Sequence, residues 1–163
     1  MTISDAISPH WDSTLRAAAA KRGATAQQEL PAAETSIEFR LGPEHTPAES
    51  MRRARSFVAK VLPALLADAS HATAVAEAVL SVLAELVDVT ARYRGAVDLS
   101  GRVSCFGDHV LITVGEMRRP LPPAEEEPGL FLVRRLADEI GQHLGDKGGY
   151  AIWASVPVRA DVN

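Results

Sequence analysis

The sequence predicts an α+β two-layer sandwich in which a mixed, mostly antiparallel sheet is covered on one face by about three helices. Short segments in which apolar and polar residues alternate, typical of half-buried strands, are separated by longer segments with apolar residues at helical spacing. Two of the strand candidates flank a tight-turn signal, which favours an antiparallel hairpin. The predicted order of elements is strand, helix, helix, hairpin, loop, helix, strand.

Length and composition favour one folded domain. The chain has 163 residues, of which 47% are hydrophobic and 23% charged, and its net charge is −4. This charge argues against nucleic acid and anionic membranes as partners, because affinity for phosphate depends on clustered lysine and arginine. Cys105 is the only cysteine, so no intramolecular disulfide is expected. The N-terminal segment does not resemble a secretory signal and no apolar run is long enough to span a membrane, so we expect a cytoplasmic protein.

The distribution of large apolar side chains divides the chain into three parts. Residues 1–34 contain few of them and are predicted to form a mobile N-terminal tail. Residues 35–158 contain all the periodic segments and are predicted to form the folded domain. Residues 159–163 are the remaining C-terminal tail.

The first half of the folded domain predicts a strand and a helix. Apolar residues alternate with polar ones over residues 36–41, which is the period of a half-buried strand. Thr46 is placed to cap the following helix, with Pro47 in its first turn and Glu49 three residues after the cap. Pro63 is expected to kink or end this helix.

A second helix and a hairpin follow. Residues about 71–94 carry a wide apolar face at helical spacing, and Gly95 is well placed to cap the C-terminal end. Residues 96–106 and 109–114 read as two strands, and the Gly-Asp dipeptide between them is typical of a tight hairpin turn.

The last third of the domain predicts a loop, a helix and a strand. Residues 115–129 contain four prolines and a run of three glutamates, which indicates a long loop, and such loops are often functional. Residues 130–144 predict a helix, and residues 150–158 a closing strand. The residues that suggest this helix share one stripe: Leu132, Val133, Leu136 and Ile140.

Three short motifs follow one another along the folded domain. Residues 85–89, near the middle of the second helix, read Glu-Leu-Val-Asp-Val; residues 129–133 read Gly-Leu-Phe-Leu-Val; and a Gly-Gly pair precedes the last strand. Over residues 35–158 this arrangement resembles the anti-sigma-factor serine/threonine kinases, which belong to the gyrase, histidine kinase and MutL ATPase superfamily. The resemblance implies the histidine-kinase-type ATPase fold, a sigma factor or an antagonist protein as partner, and homodimerisation.

The resemblance places catalysis and metal binding on the second helix. Glu85 corresponds to the family's catalytic carboxylate, which polarises a hydroxyl group or a water molecule. Four residues later the family has an asparagine that binds magnesium, but this chain has Val89, which cannot bind a hard cation. Asp88 is adjacent but projects about 100° around the helix from that position. No metal site is therefore expected, and the other interpretation of Glu85 is a structural carboxylate paired with Arg92 or another basic residue.

The rest of the implied nucleotide pocket has also changed. Glu116 stands where the family has the aspartate that recognises adenine, and Arg118 and Pro120 replace two glycines that let the backbone approach the base. Glutamates 125–127, interpreted as a solvated, mobile remnant of the lid, would repel a triphosphate. The residues assigned to this degenerate pocket are Glu116, Arg118, Arg119, Gly129 and Leu130.

These departures predict a regulatory protein of the anti-sigma type that binds a protein partner and has lost ATP binding, so no cofactor is expected. Arg52, Arg53 and Arg55 on the first helix are the candidate contacts. The alternative is an active serine/threonine kinase that uses ATP and magnesium, with Glu85 as base, so the sequence leaves enzymatic activity open. A third reading is a different anionic ligand bound through Arg118 and Arg119.

Overall fold

A computed structural model describes residues 35–67, 69, 71–145 and 148–158, and both predicted tails lie outside them. Within these residues the chain forms five strands, three α-helices and a short 3₁₀ turn. In chain order they are β1 (Thr35–Leu41), α1 (Pro47–Leu65), α2 (Ala72–Tyr93), β2 (Leu99–Phe106), β3 (His109–Met117), the 3₁₀ turn (Pro128–Leu130), α3 (Phe131–Leu136), β4 (Glu139–Leu144) and β5 (Tyr150–Pro157).

The strands form one sheet in the order β1-β2-β3-β5-β4. The helices pack on one face of it, which confirms the predicted α+β two-layer sandwich. Every pair of neighbouring strands that the structure describes is antiparallel, so the sheet is not mixed as predicted. The difference arises because β4 and β5 form a second hairpin, which returns β5 beside β3 in the antiparallel direction.

The predicted helix over residues 130–144 is wrong in its second half. The helix ends at Leu136, Ala137 is extended, and Glu139–Leu144 is strand β4 at the edge of the sheet. Leu132, which the helical stripe placed towards the core, is exposed. Pairing with β5 outweighs the local helical pattern, and Gly141 gives room to the Trp153 ring, whose Cζ2 would lie 2.7 Å from an added Cβ.

The beginning of α1 follows the sequence prediction, whereas two helix ends differ from it. The Thr46 hydroxyl accepts a hydrogen bond from the Glu49 amide at 3.1 Å, as a helix N-cap does. Pro63 lies inside α1, which continues to Leu65. Gly95 is not the cap of α2, because the helix ends at Tyr93 with an extended Arg94, and Gly95 has no positive φ.

Helix α2 is the centre of the core. It packs against α1 on one side and against β3 and β5 below, and ten of its residues are buried. The hairpin between β2 and β3 is confirmed, with Gly107 at φ 57° in the turn. The largest fully buried side chains are Leu62, Leu66, Leu83, Leu86, Leu99, Ile112, Met117, Leu130 and Ile152.

Polar contacts at both ends of the sheet fix the connections between elements. At the end of α2, the Arg94 guanidinium donates to the carbonyl oxygens of His45, at 2.7 Å, and Leu41, at 3.4 Å. At the opposite end, the His109 ring lies between two carboxylates, with Nδ1 2.8 Å from Asp108 and Nε2 2.9 Å from Asp138. The latter contacts join the hairpin turn to the start of β4.

Candidate functional site

The structure brings together two of the positions that the sequence assigned to the nucleotide pocket. Val89 on α2 is fully buried, with 0% of its surface exposed, and it faces Gly129 in the 3₁₀ turn. A Cβ added to Gly129 would lie 2.6 Å from Val89 Cγ2, so backbone and side chain are already in close contact. The space beside the expected metal-ligand position is therefore filled by apolar packing.

The turn that carries Gly129 is held by Glu127. Its side chain is only 7% exposed, and Oε1 accepts a hydrogen bond from the Gly129 amide at 3.3 Å. Its Oε2 accepts a hydrogen bond from the Tyr93 hydroxyl, also at 3.3 Å. The prediction of a solvated glutamate run is thus wrong for Glu127, although Glu125 and Glu126 are exposed.

The sequence does contain a signal for the inward position of Glu127. The prediction of a solvated glutamate run did not use this signal. Glu127 is followed by Pro128, and proline is favoured at the first position of a helical turn, which places Glu127 at the capping position. Glu127 is the N-cap of the 3₁₀ turn, and Pro128 its first residue. The carboxylate thus satisfies a free amide of the turn and reaches α2 through Tyr93, so the end of the loop is fastened to the helix.

Glu85 lies one turn before Val89 on α2 and is half-buried. Partial burial raises the pKa of its carboxyl above the ordinary value of 4.5, and the negative charge of Asp88 raises it further, whereas Arg92 lowers it. The Arg92 guanidinium forms its ion pair with Asp88, not with Glu85 as the structural interpretation suggested. The folded protein thus favours the protonated form of the Glu85 carboxyl over the ionised form, relative to the unfolded chain.

Replacing Glu85 with glutamine is expected to raise the melting temperature at about pH 8 and to have no effect at about pH 3. A raised pKa means that the folded state binds the proton more tightly than the unfolded state. The ionised group therefore costs stability once the pH rises above 4.5, and this cost is absent when the group is protonated. Thermal unfolding of both proteins across this range measures the difference, and an equal change at all pH values would contradict the assignment.

Glu116, which the sequence assigned to the nucleotide pocket, lies against a different glycine of the fold. The Glu116 carboxylate covers Gly149, where an added Cβ would clash with its Oε2. Glu116 occupies this place because a bulge interrupts the register of β3 and β5 between Gly115 and Met117.

The two arginines of the predicted pocket are exposed on the surface. Arg118 follows β3, and its amide donates to the Tyr93 carbonyl oxygen at 2.9 Å. Its side chain runs along Gly95, with Cδ 3.0 Å from an added Cβ. Arg119 is also exposed.

Leu130 lines a cavity in the described part of the chain. The cavity measures about 240 Å³ and lies between the loop after β3 and strand β4. It is smaller than the roughly 300–1,000 Å³ of ordinary ligand pockets. The residues around it are mainly apolar: Leu121, Pro122, Ala124, Glu125, Leu130, Ile140, Gly141, Gln142 and Ile152.

A side-chain amide closes this cavity from the loop side. Gln142 on β4 accepts a hydrogen bond from the Leu121 amide at 2.7 Å and donates one to the Leu121 carbonyl at 2.8 Å. The two bonds fix the loop to the edge strand much as a neighbouring strand would. The sequence pattern does not predict this contact, because it assigns residue 142 to a helix.

Helix α1 presents an exposed basic surface in an acidic protein. Its 19 residues contain four basic side chains and a single acidic one, Glu49, although the whole chain has a net charge of −4. Phe57 on the same helix is 45% exposed, and Val61 is 37% exposed. The four basic residues are exposed as well and together form the α1 basic surface: Arg52, Arg53, Arg55 and Lys60.

Comparison with known proteins does not assign the chain to a family. No family model matches it, and no curated protein is similar enough in sequence to count as a relative. In the described part of the chain, no group of three or more His, Cys, Asp and Glu side chains is placed to hold a metal ion. None of the described helices has the length and apolarity that crossing a membrane requires.

Proposed function

We propose that the protein is a regulator that acts by binding another protein, in the manner of an anti-sigma factor, and that it no longer binds ATP. The observation that supports this most strongly is the contact between Val89 and Gly129. In an ATP-binding relative of the kind that the sequence resembles, metal and phosphates would need this space. In this chain it is occupied by a buried valine side chain and a turn whose free amide is capped by Glu127.

The α1 basic surface supports the protein-binding part of the proposal. Protein interfaces favour arginine and aromatic side chains, and α1 exposes both its arginines and Phe57. Its charge would favour an acidic partner surface and steer such a partner towards α1. The partner that we propose is a sigma factor or an antagonist protein with an acidic, partly apolar contact face.

Loss of ATP binding is tested by calorimetric titration of the full chain with ATP, ADP and a non-hydrolysable ATP analogue, each with and without magnesium. We expect no heat of binding at nucleotide concentrations up to about 1 mM. Any dissociation constant would then be weaker than about 1 mM, which corresponds to little binding free energy. Magnesium-dependent binding at micromolar concentrations would contradict the proposal. It would favour the alternative, an active serine/threonine kinase with Glu85 as its base.

Protein binding is tested with purified sigma factors and antagonist proteins from the source organism, each titrated against the full chain. The double variant Arg52→Glu/Arg55→Glu is expected to weaken the binding of a true partner by about tenfold or more, because two attractive contacts become repulsive. Arg134→Glu/Arg135→Glu on α3 is the matched control, since it reverses two exposed charges outside α1. Equal losses in both variants would show that only net charge matters and that α1 is not the contact surface.

A further inference from the structure

The face of the sheet that points away from the helices is more buried than the described elements explain. In a two-layer protein this face of an antiparallel sheet is normally open to water. Thr113 on β3 points to it, because the residues on either side, Ile112 and Val114, belong to the core beneath the helices. Yet Thr113 is only 8% exposed, and Ser104, on the same face of β2, is 2% exposed. This burial calls for a cover that no described helix provides.

The buried positions belong to one continuous patch across four strands. In the register of the sheet, Ser104 lies opposite Leu111 and Thr113 lies opposite Trp153. Both Leu111 and Trp153 are half-buried. With two further buried residues that pair across β4 and β5, these four form the outer patch: Ser104, Leu111, Thr113, His143, Ala151 and Trp153. A leucine and a tryptophan in the middle of a sheet face, with no described element over them, are typical of a docking surface.

The segment before β1 contains a stretch with the sequence features of a helix that fits this patch. The composition of the whole segment predicts a mobile tail, but Ser8 followed by Pro9 is a typical helix start. Gly23, directly after two basic residues, is a typical helix end. Between these signals Trp11 and Leu15 lie one helical turn apart, and the next positions on that side are alanines. Such a helix offers two large apolar side chains and, beside them, small ones that allow a close approach to a sheet.

The lengths of this stretch and of its connection to β1 match the outer patch. A helix over residues 9–22 is about 21 Å long, and the strands of the patch, β2, β3, β5 and β4, together span about 14 Å. Residues 23–34 lead to β1 and reach up to about 40 Å when extended, which is enough for every strand of the patch. Thr35 lies opposite Cys105, next to Ser104 at the border of the patch. A connection of this length keeps the stretch at a high local concentration, so a weak contact is sufficient.

We propose that residues 9–22 of this chain dock as a helix on the outer patch, with Trp11 and Leu15 facing the sheet. Burial of these two side chains against the leucine and the tryptophan of the patch stabilises the contact. The sheet then carries helices on both faces, and the patch is closed to other proteins while the segment is bound. This contact does not depend on the proposed function, because that function concerns α1 on the other side of the sheet.

Disulfide trapping in the full 163-residue chain, under a mild oxidant, tests where the segment lies. Cys105→Ser removes the native thiol, and Ala19→Cys is combined either with Ser155→Cys, opposite Leu111 beside the patch, or with Arg135→Cys on α3. We expect the disulfide within one chain to form about tenfold faster or more with Ser155→Cys, because docking holds the two thiols together. An undocked segment would react at least as fast with the more exposed thiol at position 135. Equal rates, or disulfides that join two chains, would therefore overturn the inference.

Tryptophan fluorescence measures whether the outer patch is covered. The chain has two tryptophans, so a substitution at Trp11 leaves Trp153 as the only indole. Trp11→Ser removes the larger anchor of the segment, whereas Trp11→Phe is the matched control that keeps an aromatic ring. We expect acrylamide to quench Trp153 about twofold more strongly in Trp11→Ser than in Trp11→Phe, because the segment opens more often. Far-ultraviolet circular dichroism confirms that both variants are folded, and equal quenching in the two contradicts the inference.

Discussion

Val89→Asn is expected to lower the free energy of unfolding by about 3 kcal/mol and to leave the protein unable to bind magnesium and ATP. The valine side chain is fully buried, so the substitution removes apolar contacts with the turn at Gly129. It also places an amide where the surroundings are apolar, and a buried amide without hydrogen-bond partners costs about 1–3 kcal/mol. Restoring the family's metal-binding residue type does not restore the space that a metal and phosphates need.

Urea unfolding measures the stability of Val89→Asn, and calorimetry measures its affinity for nucleotide. Val89→Ala is the matched control, because it removes methyl groups without adding a polar group, and it is expected to cost about 2 kcal/mol. The difference between the two variants gives the cost of burying the amide. A variant that keeps full stability and binds ATP with magnesium would show that the turn opens easily, and that only the metal ligand had been lost.

The fold could be predicted from the sequence wherever a local signal decided the structure. Alternation indicated β1, the dipeptide at Gly107 indicated the hairpin, and Thr46 marked the start of α1. Strand β4 could not be predicted in this way. Its apolar residues fit a helical stripe as well as a strand, and the choice depends on pairing with β5, which the local pattern of residues 139–144 does not show.

The candidate site was predictable at the level of single residues but not of contacts. The sequence indicated that Val89 cannot bind a metal and that the glutamates near Gly129 disfavour phosphate. It did not indicate that one of them, Glu127, folds inwards to the Tyr93 hydroxyl, which is 34 residues away along the chain. The family resemblance assigned Glu116 and Arg118 to one pocket, but the two side chains lie against different glycines on either side of the bulge before Met117.

Gly129→Ala is expected to destabilise the protein by about 1–3 kcal/mol, the usual cost of forcing an extra group into a packed region. The added methyl group would lie 2.6 Å from Val89 Cγ2, which is well inside van der Waals contact. Val89 cannot turn away, because it is β-branched and enclosed by the core on its other sides. The turn must therefore move off α2, and the bond from the Gly129 amide to Glu127 is strained with it.

The double variant Gly129→Ala/Val89→Ala separates this clash from other effects of losing a glycine. Removing the valine methyl groups makes room for the new one, so we expect the double variant to be at least about 1 kcal/mol more stable than the sum of the two single changes predicts. Urea unfolding of the original chain, the two single variants and the double variant gives the four free energies of unfolding that this comparison needs. If the changes in the free energy of unfolding of the two single variants are additive, the turn at Gly129 does not pack against Val89 in solution. The space beside α2 is then open, and filled space can no longer explain a loss of ATP binding.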